Sequence, residues 1–241
     1  MTPEDLCTRA AASLRQVREE RPKVHVLTNF VAMNVSANVL LAVGAIPSMT
    51  IDDTVIEEFV GSARSLVVNL GQLDPWRKIS VPMAIAAANR LGRPWLLDPV
   101  KVDRSGRRLA FARMLMDLRP AVIRCNRDEV GTLEGAPGIV VAETGEVDHV
   151  TDGGRRFEMA NGHPLMDRVT AMGCAASALT GAFLAVEADA FLATASAILI
   201  YGIAGEMAAE KAAGPGTFPA HLLDALYRID IDDIRERAKV T

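Results

Sequence analysis

The sequence predicts an α/β fold: a mostly parallel central sheet with helices on both faces, in a single domain over 1–241. Three observations lead there. Short β-type runs alternate with longer helical patterns, the signature of βαβ units. Half the residues are hydrophobic but only 5% are aromatic, so Ala, Val and Leu must build the core. That composition suits helices packed on a buried parallel sheet. Finally, 241 residues suffice to bury one large core.

Taken in order, residues 1–23 are charged and amphipathic, unlike the apolar core of a signal peptide. Val24–Thr28 reads as a strand, followed by a helix from about Val31 that stops at Gly44. Leu66–Leu70 is the next strand, and Val81–Leu91 the next helix, with Ser80 as its N-cap. Trp95–Leu97 is a strand ending on Asp98-Pro99, and Arg107–Leu118 has helical periodicity. Two more strands follow at Ala121–Cys125 and Ile139–Ala142. Within Val147–Met159 two short strands flank Asp152-Gly153-Gly154, a hairpin turn signal. From Cys174 onward the chain is mainly helical.

Several function classes are excluded. With 26 basic against 30 acidic residues, net charge −4, and its basic residues scattered, the chain lacks a nucleic-acid footprint. The densest basic stretch, Arg104–Arg108, reads as a solvated helix start. Cys7, Cys125 and Cys174 lie far apart with no CxxC pair, which argues for reduced thiols in the cytoplasm. Ala188–Ala204 is Ala-rich and carries Thr194, Ser196 and Tyr201, so it reads as a buried core helix and not a membrane span. His25, His149, His163 and His221 have no metal-ligand spacing, and His163 reads as a turn residue. Trp76 and Trp95 are expected in the core or at its edge, and the ten methionines as gap-fillers.

In an open α/β sheet, ligands bind beyond the carboxyl ends of the strands. Nearly every strand here ends on polar residues: Thr28-Asn29, Asn69 and Gly71, Asp98, Asn126 and Glu129, Thr144. Taken singly each is more often a cap or turn residue than a ligand, so the set carries the signal. Asn126 and Glu129 have capping-box spacing. Read together with Asp98, Glu129 is instead one of two carboxylates suited to holding Mg²⁺ through water, alongside substrate phosphates. Val169–Ala175 places small residues before a long helix, where backbone N–H groups and the helix dipole favour phosphate. Cys174 then falls in the first turn, where the dipole lowers a thiol pKa, or it is a buried Cys at a tight junction.

At this point the chain resembles the hydroxyethylthiazole kinase family of the ribokinase-like superfamily. The resemblance rests on Thr28-Asn29, Met33-Asn34, Ala37-Asn38, Gly44-Ala45, Asn69-Leu-Gly71 and Leu97-Asp-Pro-Val100. It continues through Arg124, Asn126, Glu129, Thr144-Gly-Glu-Val-Asp148, Asn161-Gly-His-Pro164, Thr170 to Cys174 and Gly214-Pro-Gly216. The resemblance implies a three-layer ribokinase-like fold and transfer of a phosphoryl group from MgATP to the alcohol of hydroxyethylthiazole, a step of thiamin salvage. By motif position it implies that Arg124, Thr144, Asn126 and Gly173 bind ATP and that Asp98 and Glu129 organise Mg²⁺. Met49, Asn29, Gly71 and Ala171 would line the thiazole site, Cys174 would be the catalytic residue, and the assembly would be a homotrimer. Two other readings stay open: a thiazole-binding protein without catalysis, and a kinase of another small alcohol.

Departures from the family pattern cluster on the nucleotide side. Ala171 stands where the resemblance expects glycine; if φ is positive there, Ala costs roughly 1 kcal/mol or more. Ala171 and Met172 are also placed to narrow the phosphate site. Lys101–Ser105 replaces a glycine-rich stretch, Cys125 replaces a glycine, and Glu134–Gly138 forms a short direct link in place of a helix.

Overall fold

The computed structural model describes residues 1–133 and 138–241. Its strands are β1 (Lys23–Leu27), β2 (Ile46–Ser48), β3 (Ser65–Asn69), β4 (Trp95–Asp98), β5 (Val122–Asn126), β6 (Val140–Thr144), β7 (Asp148–Thr151) and β8 (Arg156–Met159). Its helices are α1 (Pro3–Glu20), α2 (Met33–Ala42), α3 (Ile56–Ser62), α4 (Pro75–Arg90), α5 (Gly106–Met116), α6 (Arg127–Leu133), α7 (Met172–Leu184), α8 (Ala190–Ala209), α9 (Phe218–Arg228) and α10 (Ile231–Arg237). Of the expected short link, residues 134–137 lie outside the described residues.

One sheet runs in the order β2-β1-β3-β4-β5-β6-β7-β8. β1 to β6 pair in parallel, and β6-β7-β8 add the antiparallel hairpin that Asp152-Gly153-Gly154 foretold. Gly153 has φ +90°, and Asp152 Oδ1 accepts from the Gly154 and Arg155 amides at 2.9 and 2.7 Å. Every residue of β3 and β4 is buried, as expected of strands covered on both faces.

Small residues let helix and sheet meet closely. α7 lies on β1, β3 and β4, and a Cβ on Gly181 would stand 2.5 Å from Val67 Cγ2 and 3.0 Å from Val24 Cγ1. α8 packs on β5 to β8, with α1 and α9 against its outer side. Among the described helices it alone is long and apolar enough to cross a membrane, yet 83% of that stretch is buried inside the fold. α3, α4 and α6 cover the opposite face of the sheet.

Two local expectations fail. α4 starts at Asp74, whose side chain accepts from the Arg77 amide, and it continues through Pro82. Ser80 is therefore no N-cap; its hydroxyl donates to the Trp76 carbonyl at 3.1 Å inside the helix. Pro82 leaves the Lys78 carbonyl without its helical donor, and Lys78 lies on the exposed side of α4 where water can serve. Trp76 is 65% exposed on the same helix, whereas Trp95 is buried as expected and donates to Asn89 Oδ1.

Candidate active site

The parallel register brings Asn69 beside Asp98, and Asn126 beside Thr144, at one edge of the sheet. The start of α7 faces that edge. Asn69 is the hub. Its amide nitrogen donates to Asp98 Oδ2 at 2.8 Å and approaches Cys174 Sγ at 3.3 Å. Its Oδ1 accepts from the Gly71 amide at 3.0 Å and from Asn29 Nδ2 at 3.2 Å. Asn29 Nδ2 also lies 3.6 Å from Cys174 Sγ. A Cβ on Gly71 would stand 2.6 Å from Asn29 Nδ2, so only glycine leaves this amide pair in place.

Asp98 is buried, and Ser177 Oγ donates to the same Oδ2 at 2.7 Å. Burial pushes its carboxyl above the usual carboxylate range. Arg124, Ser177 and Asn69 pull it back, while Glu129 raises it further. Arg124 Nη1 sits 3.9 Å from Asp98 Oδ2, and Nη2 donates to Thr144 Oγ1 at 2.7 Å. The guanidinium lies across the start of α7, since a Cβ on Gly173 would meet Nη1 at 2.6 Å. Arg124 Nε is buried with no hydrogen-bond partner among the described residues.

Glu129 and Asn126 form the capping box in full. Asn126 Oδ1 accepts from the Glu129 amide, and Glu129 Oε2 from the Asn126 amide, each at 3.0 Å. Glu129 Oε1 also accepts from the Lys101 amide at 2.5 Å, so this buried carboxylate ties the loop after β4 to the end of β5. That loop is strained: Val100 has φ +25° and Lys101 φ +58°.

Ala171 has φ +67° at the N-cap of α7 and offers no side-chain cap bond, so the conformation that favours glycine is present without the glycine. Met172 does not narrow the site; it is buried in the core, and its carbonyl accepts from Tyr201 OH at 2.9 Å. Cys174 lies in the first turn as expected, but its thiol pKa is not lowered. Burial pushes it up, Asp98 adds to this, and the hydrogen bonds from Asn69 and Asn29 only partly oppose it. Cys125 is fully buried in the core, so its side chain stays out of the site. Met49 lies past β2, half-buried against the core on the α7 side, one strand further out than Asn29. His163 accepts from the Leu165 amide at 3.2 Å, the turn role expected of it.

Two residues went unread in the sequence. Ser177 was legible only as a polar residue three positions after Cys174, hence on the same helix face. Arg108 belongs to the stretch expected to be solvated, yet its guanidinium turns inward onto the Leu70, Gly71 and Val100 carbonyls.

A helix start and an arginine beside the buried Asp98 carboxylate, at the strand ends of a sheet covered on both faces, suit the phosphates of a nucleotide, as in small-molecule kinases of ribokinase-like fold. A solved ribokinase-like superfamily protein from Enterococcus faecalis shares the fold, with TM-score 0.69 at 13% identity over 91% of this chain and 88% of that one. The hydroxyethylthiazole kinase family profile matches residues 14–139 and 135–232. A probable hydroxyethylthiazole kinase from Agrobacterium fabrum is 45% identical, covering 96% of this chain and 94% of its own length. The solved hydroxyethylthiazole kinase protein from Pyrococcus horikoshii OT3 superposes with TM-score 0.93 at 41% identity, covering 97% of this chain and 98% of that one. The chain belongs to the hydroxyethylthiazole kinase family.

Proposed function

We propose that this kinase, acting as one catalytic unit over 1–241, transfers the γ-phosphoryl group of ATP to the primary hydroxyl of 4-methyl-5-(2-hydroxyethyl)thiazole in the cytoplasm. The observation that carries the reading is Arg124 lying across Gly173 at the start of α7, next to Asp98. A helix N-terminus and a guanidinium with an unpartnered Nε suit the oxygens of a transferring phosphoryl group. Thr144 holds Arg124 in that direction, and Asn126 is at the neighbouring strand end.

Asp98 and Glu129 would hold Mg²⁺. Both are buried carboxylates, and their mutual repulsion is the kind a cation relieves. Among the described residues no three His, Cys, Asp or Glu side chains form a closed cage. Two carboxylates suit an ion that takes its remaining oxygens from phosphate and water. When bound, the ion neutralises charge on the phosphates.

Asn29, Gly71, Ala171 and Met49 shape the acceptor side. As the alcohol oxygen bonds to the γ-phosphorus, the bond to the ADP oxygen breaks, and the alcohol proton passes to water or to an oxygen of the transferred phosphoryl group. Cys174 is protonated near neutrality and takes part through position, as the sulfur that Asn69 and Asn29 address. A loose transition state asks little of a base, because positioning and charge neutralisation dominate.

The protein is expected to be a homotrimer. Phe30 and Val31 after β1, with Trp76 and Ile79 on α4, are large exposed hydrophobic residues, and Arg77 stacks on the Phe30 ring at 4.8 Å. Sedimentation as a monomer at micromolar concentration would overturn that part.

The direct test is incubation of purified protein with ATP, Mg²⁺ and the thiazole alcohol, with the phosphorylated thiazole detected by mass. Product is expected, and Cys174→Ala should retain a measurable share of it. A folded sample that binds the thiazole and forms no product sinks the kinase reading.

A further inference from the structure

Arg108, near the start of α5, does not point to solvent as its neighbour Arg107 does. One nitrogen, Nη1, donates to the Leu70 carbonyl and reaches the Val100 carbonyl at 3.4 Å; the other, Nη2, donates to the Gly71 carbonyl at 3.3 Å. Those carbonyls belong to different halves of the site. Leu70 and Gly71 follow β3, where the Gly71 amide closes on Asn69 and so on Asn29 and Cys174. Val100 follows β4 in the strained pair Val100-Lys101, whose next amide is held by Glu129. One guanidinium thus spans the loop that presents the acceptor and the loop that presents the phosphate-side carboxylate.

We propose that Arg108 is a positioning residue that fixes the separation of these two loops, and with it the distance from acceptor hydroxyl to phosphoryl group. Two consecutive non-glycine residues at positive φ persist only when their surroundings hold them. Here Arg108 holds the Val100 carbonyl and Glu129 the Lys101 amide. A planar fork with several donors can serve carbonyls on two loops at once, which a lysine ammonium on a flexible stem cannot do in one geometry. The inference rests on the kinase reading above for its kinetic consequence, and on the loop geometry alone for its structural one.

The test uses the full chain with Arg108→Ala, Arg108→Lys and, as control, Arg107→Ala. Arg108→Ala is expected to raise the thiazole KM and the Mg²⁺ concentration for half-maximal rate together. It should also lower kcat by about 100-fold, the cost of displacing reacting groups by roughly 1 Å. Arg108→Lys should restore little of this, guanidinium ion added to Arg108→Ala at low millimolar concentration should restore part, and Arg107→Ala should behave as wild type. A residue that merely stabilises the fold would lower the melting temperature and leave both constants unmoved, and that result overturns the proposal.

Hydrogen exchange supplies a readout that needs no turnover. The amides of Leu70, Gly71 and Lys101 are each hydrogen-bonded, and in Arg108→Ala all three should lose protection together. Unchanged protection there overturns the brace even in an inactive protein. Absence of thiazole phosphorylation by wild type, with protection lost in the variant, overturns the function and leaves the brace standing.

Discussion

Replacing Ala171 with glycine should stabilise this protein. Ala171 sits at φ +67°, ψ +11° at the N-cap of α7, in the left-handed region. An L side chain there costs roughly 1–2 kcal/mol through the approach of Cβ to the backbone carbonyl. Glycine removes that cost but gives the unfolded chain more freedom, which returns about 0.4–1 kcal/mol to the unfolded state. Ala171 makes no side-chain cap bond, so the substitution loses no hydrogen bond. Glycine is also the better N-cap residue of the two. The balance is a gain of about 1 kcal/mol, which in a chain of this length raises the melting temperature by about 2–4 °C. Calorimetry and urea unfolding of Ala171→Gly beside Ala171→Val would read it, with valine moving the opposite way because a branched Cβ is worse still at positive φ. The KM for ATP should not rise in the glycine variant. An Ala171→Gly protein that melts below wild type would refute the claim that strain is stored at this helix start.

Three further outcomes are expected. Gly173→Ala puts a Cβ 2.6 Å from Arg124 Nη1 and forces the guanidinium off the helix start; the ATP KM should rise about 10- to 100-fold, the worth of a charge-assisted hydrogen bond, with thermal stability nearly unchanged. Glu129→Gln keeps a capping residue but weakens the bond from the Lys101 amide. Urea unfolding should show a loss of about 1 kcal/mol, and turnover should fall far more than that. Preserved turnover would leave Glu129 a cap and nothing else. The pH dependence of stability should carry opposed contributions. Burial lowers His25 to about 4, below its unfolded value of 6.5, so its contribution is present above 6.5 and is lost as pH falls to 4, about 3 kcal/mol in all. Burial raises Asp148 to about 6, so its contribution is present below 3.8 and is lost as pH rises through 6. The effect of this half-buried group should be the smaller one. Asp148→Asn should therefore destabilise more steeply on acidification than wild type, and His25→Gln less, as read by urea midpoints from pH 4 to 7.

Much of the fold was readable because its strands are short apolar runs that end abruptly on polar residues. Leu66–Leu70 and Trp95–Leu97 read as strands, and burial on both faces accounts for their near-continuous apolar side chains. The sequence misplaces the start of α4 because Ser80-Val-Pro82 looks like a helix start, while the true start, Asp74-Pro75, carries the same cues six residues earlier. Local chemistry permits both, and packing chose the longer helix, which buries Arg77 against the Thr28 carbonyl at 2.9 and 3.2 Å. β2 and α3 went unseen because each is short and lacks a clean period.

The sequence by itself determined which residues stand at the strand ends and that Asn126 and Glu129 have the spacing of a capping box. These are local facts, set by spacing along the chain. Only the tertiary structure decided that Asn69 joins Asp98 to Cys174, that Ser177 shares the same carboxylate oxygen, and that Arg108 turns inward between two loops. It also decided the state of the Cys174 thiol. A helix start favours the thiolate, but desolvation by the packed strand ends pushes the other way, and burial is a property of the whole fold.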